Sequence, residues 1–255
     1  MNPGRLNRRR TFSCGCRALY TWKVRRGRDT GPKDVGPIKP SAWMSNFVRT
    51  LLHIGCGKQS TEALPHLDWV AEWRQVRVDI NPEVAPDVIA DMTDMPMIES
   101  ESADIVYSKH NIEHLDFHQV GLALDEFYRV LKPTGFLICR CPDLARIAER
   151  LATVDLEKTL GVASMDDGTC FEVALIDMIF GARSEIADGN DFMKHRTGFT
   201  SETLTRHLKH AGFEGVSIHR EPRLMELRCT ARKVEQGNMH PRVVREIASA
   251  DRSRA

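Results

Sequence analysis

Gly55 and Gly57 close the apolar run Leu51-Leu52-His53-Ile54, and Asp79 closes a second run, Val76-Arg77-Val78, twenty-two residues after Gly57. These are the residue types that hold a nucleoside. Glycine has no Cβ, so a Gly-x-Gly turn lets the backbone come close to a ligand. A carboxylate accepts two hydrogen bonds from a ribose diol. Two apolar runs ending in such a turn and such an acid predict neighbouring strands of a parallel α/β sheet. Turn and acid then meet at the carboxyl ends of the strands, where nucleoside cofactors bind.

Two phosphate-centred readings fail on particular residues. A dinucleotide fingerprint needs Gly or Ala where Ser60 stands, and Pro65 interrupts the helix that would receive the pyrophosphate. A phosphate-binding P-loop needs a hydroxyl where Gln59 follows Lys58, and a glycine where Leu52 stands. The nucleoside expected here needs no phosphate site.

The elements that must position these residues are short apolar runs at Thr50–Ile54, Val76–Ile80, Asp87–Ala90, Asp104–Ser108 and Gly135–Cys139. Between the last two, Val120, Leu124, Phe127 and Leu131 recur at helical spacing, predicting a helix over Gln119–Leu131 that Lys132-Pro133-Thr134-Gly135 ends. Strands alternating with helices predict a parallel sheet with helices on its faces. The links after the second and third strands hold little helix, so that cover is thin. Further helices are expected at Asp143–Ala152, Cys170–Phe180 and from Ser201, as N-cap, to His210, before Gly212. Val216–His219 and Met225–Ala231 read as a terminal strand pair, and Val243–Ser249 as a short surface helix.

Taken in order, five segments of this chain resemble the class I S-adenosylmethionine-dependent methyltransferases, of the type 11-like kind. They are His53-Ile54-Gly55-Cys56-Gly57-Lys58; Val78-Asp79-Ile80-Asn81; Ala90-Asp91-Met92; Ala103-Asp104-Ile105-Val106-Tyr107-Ser108 leading into Asn111-Ile112-Glu113-His114-Leu115; and Glu126-Phe127-Tyr128-Arg129-Val130-Leu131-Lys132-Pro133-Thr134-Gly135. The resemblance spans residues 48–231. It implies an α/β, Rossmann-like, doubly wound sheet, seven-stranded and mostly parallel, with an antiparallel terminal strand. It implies S-adenosylmethionine as cofactor: Gly55, Cys56 and Gly57 under the methionine part, Asp79 on the ribose, Ile80 and Met92 against the adenine, Asp91 on its amino group. Ser108 falls in the segment that faces the sulfonium and the acceptor. Asp104, at the opposite end of its strand, is expected to be structural.

Methyl transfer from a sulfonium is an in-line displacement with a good leaving group, so alignment and desolvation carry most of it. A protonated acceptor adds a need for one base. His110, His114 and His195 are the candidates, and each has an alternative as a packing or surface histidine. A zinc site built from the same three lacks a fourth ligand in the sequence, so no metal is expected. Arg196 suits an acidic acceptor or a surface ion pair. Cys56, Cys139 and Cys141 read as packing residues, and Cys14-x-Cys16 as part of the leader.

The fourth strand does not run into Asn/Asp-Pro-Pro-Tyr/Phe, a pattern associated with methylation of planar nitrogens. A small-molecule acceptor with an oxygen nucleophile is therefore expected. An insertion over 157–198 would be its lid, where Phe171, Met178, Phe180, Phe192 and Met193 suit an apolar pocket or ordinary packing. Residues 1–43 carry a charge balance of +9 and the rest −8, so a basic leader over 1–45 precedes a domain over 46–232 and a polar tail over 233–255. That leader suits nucleic acid or anionic lipid, or is simply disordered, and Met44 is a plausible domain start. An RNA or protein methyltransferase, and a non-catalytic cofactor-binding protein, are the rival readings. A composition of 42% apolar and 28% charged residues, without a long apolar stretch, excludes a membrane-spanning chain. Seven cysteines without a disulfide-like spacing point to a reducing cytoplasm.

Overall fold

The computed structural model describes residues 49–58, 73–164 and 170–234. The basic leader, Met44, Cys14-x-Cys16, Ser60, Pro65, the side chain of Phe171 and the helix expected at 243–249 lie outside the described residues and side chains.

Strand β1 (Thr50–Ile54) is the centre of the sheet, with four of its five side chains buried. It runs parallel to β2 (Arg74–Asp79), where Ile54 faces Val78, and to β4 (Ala103–Lys109), where Ile54 faces Ser108. That register makes Gly55, Asp79 and Lys109 leave the sheet at one level. Strand pairing thus brings these residues together at the carboxyl ends of the strands, where α/β sheets bind ligands. Adding β3 (Val88–Ile89), β5 (Leu131–Pro142), β8 (Glu214–Glu221) and β9 (Glu226–Arg232) gives seven strands in the order β3-β2-β1-β4-β5-β9-β8. The last strand, β9, is antiparallel to both its neighbours, as the sequence led us to expect of a terminal strand.

At the opposite edge Asp104 accepts from the Thr50 amide (2.9 Å) and the Lys132 ammonium (2.7 Å), tying together the amino ends of β1, β4 and β5. The main core lies against helix α1 (Val120–Val130), whose Val120, Ala123, Leu124, Phe127 and Val130 are all completely buried at helical spacing. Each such large side chain contributes roughly 1.5–3 kcal/mol on leaving water. Cys139, Cys141 and Cys229 are free thiols buried in the same core, where burial pushes their pKa values up, so they pack and do not react.

Two local expectations are corrected. Cys170–Phe180 is not one helix: Cys170–Ala174 is strand β7, paired antiparallel with β6 (Thr159–Ser164), and only Leu175–Phe180 is helical (α3). Asp177 sets the boundary, because its Oδ2 accepts from the Ala174 amide at 2.8 Å and so caps a helix starting at 175. Helix α2 (Leu144–Leu151) is capped from outside: Asp143, its N-cap residue, accepts from the Arg146 amide at 3.2 Å. A short helix α4 (Arg183–Ala187) follows α3.

The N-cap of α5 (Ser201–His210) is Thr200, whose Oγ1 accepts from the Thr203 amide at 3.3 Å; Ser201 is already inside the helix. Thr200→Ala is expected to cost about 1 kcal/mol, read as a melting temperature lower by roughly 2–4 °C, whereas Ser201→Ala is expected to leave the melt unchanged. Among the described residues no helix is long and apolar enough to cross a membrane.

Candidate active site

The two glycines of the β1 loop have left-handed backbones, φ +61° at Gly55 and +55° at Gly57, for different reasons. A Cβ on Gly55 would collide with the side-chain amide of Asn111. That amide is buried and donates to the carbonyls of Ile54 and Lys109, both at 2.9 Å, and lies 3.3 Å from Ser108 Oγ. A Cβ on Gly57 would meet nothing within 4 Å. Gly55 is therefore required by the protein's own packing, and Gly57 leaves room above the loop. Gly55→Ala is expected to cost about 2 kcal/mol from forced backbone and displaced Asn111; Gly57→Ala is expected to cost about 1 kcal/mol from backbone alone. Chemical denaturation of the two variants checks that order.

The loop is also tied to β2. The Gly57 amide donates to Asp79 Oδ2 (2.8 Å), and the Arg77 guanidinium donates to the carbonyls of Gly57 (3.1 Å), Val84 (3.1 Å) and Ala85 (3.0 Å). The other oxygen of Asp79 accepts from the Asn81 amide at 2.9 Å. One backbone donor thus orients each carboxylate oxygen, and the remaining lone pairs can still take a diol. Ile80 beside it is 41% exposed, an apolar side chain at the carboxyl edge of the sheet. Across the β2–β3 pairing, Asp91 has one oxygen fixed by the amide (2.9 Å) and hydroxyl (2.8 Å) of Thr93, and Met92 is partly buried against the core. Cys56 is buried with its thiol on the Gly57 carbonyl; burial and the Asp79 charge raise its pKa, as suits a packing residue. Ser108 is wholly buried beneath Asn111, so its side chain supports the loop and does not reach the surface.

Beyond Asn111, a short 3-10 turn over Ile112–His114 carries the second group of residues. His110 has a left-handed backbone (φ +53°). Its ring lies between two buried carboxylates, Nδ1 at 3.3 Å from Glu113 Oε1 and Nε2 at 3.1 Å from Glu226 Oε2. The ring is 42% exposed; its partial burial disfavours the charge, and its hydrogen bonds to the two carboxylates outweigh this and raise its pKa to about 9. Glu226, held also by Arg228 at 2.7 Å and by Arg140 at 3.8 Å, is lowered to about 2 against its own burial. At neutral pH His110 is a cation with no lone pair to offer, which argues against it as the base.

His195 behaves differently: burial lowers its pKa, and its Nδ1 faces the Met178 carbonyl at 3.1 Å, leaving Nε2 as the nitrogen with a lone pair. His114 stacks edge-on against it, ring centres 4.9 Å apart. The two segments are joined through backbone, because the amides of Arg196 (2.8 Å) and Thr197 (3.1 Å) both donate to the Glu113 carbonyl. Arg196 itself pairs with Asp116 at 3.4 Å. One oxygen of Glu113, Oε2, is buried without a partner.

Residues 52–139, from β1 to the middle of β5, match a family described as a methyltransferase domain. That segment is a methyltransferase domain, and S-adenosylmethionine is its methyl donor. Solved structures of similar fold include an S-adenosylmethionine-dependent methyltransferase from Archaeoglobus fulgidus (16% identity, 72% of this chain and 86% of that one, TM-score 0.47). Others are 1,6-didemethyltoxoflavin-N1-methyltransferase from Burkholderia thailandensis (16%, 73% and 71%, 0.43) and a methyltransferase from Mesorhizobium loti (18%, 74% and 94%, 0.44). No curated protein matches the sequence.

The carboxyl edge of the sheet offers a donor set that an adenosyl group would fit: the Asp79 carboxylate could take a diol and Asp91 an exocyclic amine, beside exposed Ile80 and the open space over Gly57. Arg77 and Glu226 were not singled out in the sequence, and Asn111 only as part of the segment expected to face the sulfonium. Arg77 and Asn111 work through backbone carbonyls, which leave no residue pattern. Glu226 meets His110 across 116 residues. Glu113 had a visible signal, the spacing His110-x-x-Glu113-His114, which puts both neighbours on one turn.

Proposed function

We propose that this enzyme transfers the methyl group of S-adenosylmethionine to an oxygen of a small-molecule acceptor in the cytoplasm. The observation that carries this reading is the cluster of Glu113, His114 and His195, held by backbone hydrogen bonds directly after the loop that contacts Gly55. An oxygen acceptor must lose a proton as it is methylated, and this cluster is where the chain has groups to deal with it. The bound cofactor supplies an activated methyl on a good leaving group. The chain supplies the rest: Asp79, Asp91, Ile80 and Gly57 hold and orient the adenosyl end. His110, as a cation between Glu113 and Glu226, keeps Glu113 charged and in place. Asn111, which follows the fourth strand where a planar-nitrogen substrate would be gripped, is committed to the carbonyls of Ile54 and Lys109. That favours oxygen over amide or base nitrogen.

The segment 157–198 serves as the lid. The Phe180 carbonyl accepts from the His195 amide at 3.1 Å, and Phe180 and Phe192 are 57% and 52% exposed, which suits an apolar acceptor. The decisive experiment is incubation of the full chain with methyl-tritiated S-adenosylmethionine and fractionated metabolite, RNA and protein pools. Label is expected in the metabolite pool. Label confined to RNA or protein overturns the reading and favours the basic leader, with its balance of +9, as an electrostatic arm. In that case removal of residues 1–43 abolishes salt-dependent RNA binding.

A further inference from the structure

We propose that Glu113, His114 and His195 bind a divalent first-row transition ion, with zinc the ion their donors fit best. One ligand atom from each of the three lies within 4.8 Å of the others. A tetrahedral zinc site with bonds near 2.0–2.1 Å sets its ligand atoms roughly 3.3 Å apart.

Each ligand is prepared for a cation in its own way. Glu113 is 1% exposed, and its Oε2 has no hydrogen-bond partner, a costly arrangement for a buried carboxylate that a metal ion would remove. Its Oε1 is oriented by the ring of His110, itself fixed on Glu226. His195 directs Nδ1 to the Met178 carbonyl, the outer hydrogen bond that fixes the tautomer of a ligating histidine and turns Nε2 outward. His114 has Nδ1 at 3.1 Å from the Lys194 carbonyl and Nε2 at 3.1 Å from the His110 carbonyl. To ligate an ion the ring turns one nitrogen off its carbonyl and keeps the other as the outer hydrogen bond that fixes its tautomer.

The donor set also selects the metal. Two imidazoles and one carboxylate suit zinc and its neighbours, whereas magnesium and calcium prefer all-oxygen sites. Three protein ligands leave a coordination position open, as in catalytic and not structural zinc sites. From the sequence no metal was expected, and the site weighed there was three histidines. In the structure His110 is turned to Glu226, and Glu113 takes its place. Ion binding stands on this geometry alone; that the open position receives the acceptor's oxygen rests on the reading above.

The test uses the full chain after chelator treatment and dialysis. Zinc titrated by calorimetry is expected to bind with one ion per chain at this site. Cobalt is expected to give the intense visible bands of a four-coordinate ion. His195→Ala and Glu113→Gln should each weaken zinc at least 100-fold while still binding S-adenosylhomocysteine, which shows that they are folded. His118→Ala, an exposed histidine nearby, and the double variant Cys14→Ser/Cys16→Ser should bind zinc as the parent does. Zinc affinity unchanged in both His195→Ala and Glu113→Gln, or lost in the cysteine variant, overturns the proposal. So does cobalt that stays six-coordinate. If zinc binds as expected but no acceptor pool is labelled, the acceptor reading fails and the metal site stands. If metabolites are labelled by a zinc-free chain that takes up no ion, the metal site alone fails.

Discussion

Asp79→Ala is expected to weaken S-adenosylmethionine binding by about 100-fold or more. On the proposed reading the carboxylate holds the sugar, and hydrogen bonds to a charged group are worth about 1.5–3 kcal/mol each. Losing two from a ribose diol therefore removes about 3 kcal/mol or more. The loss has a second part, because Asp79 also receives the Gly57 amide at 2.8 Å and the Asn81 amide at 2.9 Å. Without it the glycine loop loses its tie to β2. From a micromolar parent, about −8 kcal/mol, the variant falls to near-millimolar binding. Asp79→Asn separates the two parts. An amide side chain offers one acceptor oxygen, and its NH2 must face a backbone donor or a ribose hydroxyl, so most of the affinity is lost with little change in size. Calorimetry on the three chains checks this. A change below threefold for Asp79→Ala would mean that the adenosyl group sits elsewhere.

Lowering the pH from 7 to 4 is expected to remove about 3 kcal/mol of folding stability through His53. This histidine is 1% exposed, accepts at Nδ1 from the Gln75 side-chain amide (3.0 Å) and packs edge-on to Tyr107. Burial, then the charges of Arg77 and Lys109, lowers its pKa to about 4. The unfolded chain takes up the proton near pH 6.5, and the native state refuses it until about pH 4. Stability is therefore complete above 6.5 and falls by about 1.4 kcal/mol per pH unit through that window. His195 and His207, both lowered chiefly by burial, act in the same direction. His110 acts oppositely. Its contribution is present below 6.5 and is lost as pH rises through about 9, so stability peaks near neutrality. Denaturation of parent and His53→Leu at pH 7.0, 6.0 and 5.0 tests the assignment. The variant should lose most of the slope, and an equal slope in both chains would place the acid sensitivity in other groups.

How far the site was legible depended on how local each interaction is. Gly57 and Asp79 were readable because one lies in the turn after its strand and the other ends its strand, and the parallel pairing of Ile54 with Val78 carries both to one edge. Gly55 was readable as a glycine but not in its reason, which is the amide of Asn111, fifty-six residues on. Ser108 has the place in the chain expected of a cofactor contact, yet its side chain is buried, because Asn111 folds back over it. The helix over Cys170–Phe180 was overdrawn: apolar content does not reveal that Asp177 caps a helix at 175 and leaves the preceding residues to pair with β6.

Strand positions, their parallel order, the glycine turn and the acid that ends the second strand all follow from periodicity and from residues adjacent in the chain. These features need only short-range sterics and the burial of one apolar face. The charge state of His110, the unpartnered oxygen of Glu113 and the approach of His195 follow from contacts with Glu226 and with the segment before α5. Those contacts close loops of eighty residues or more. Electrostatics at that range depends on which strands the sheet sets side by side, and no spacing along the chain encodes it.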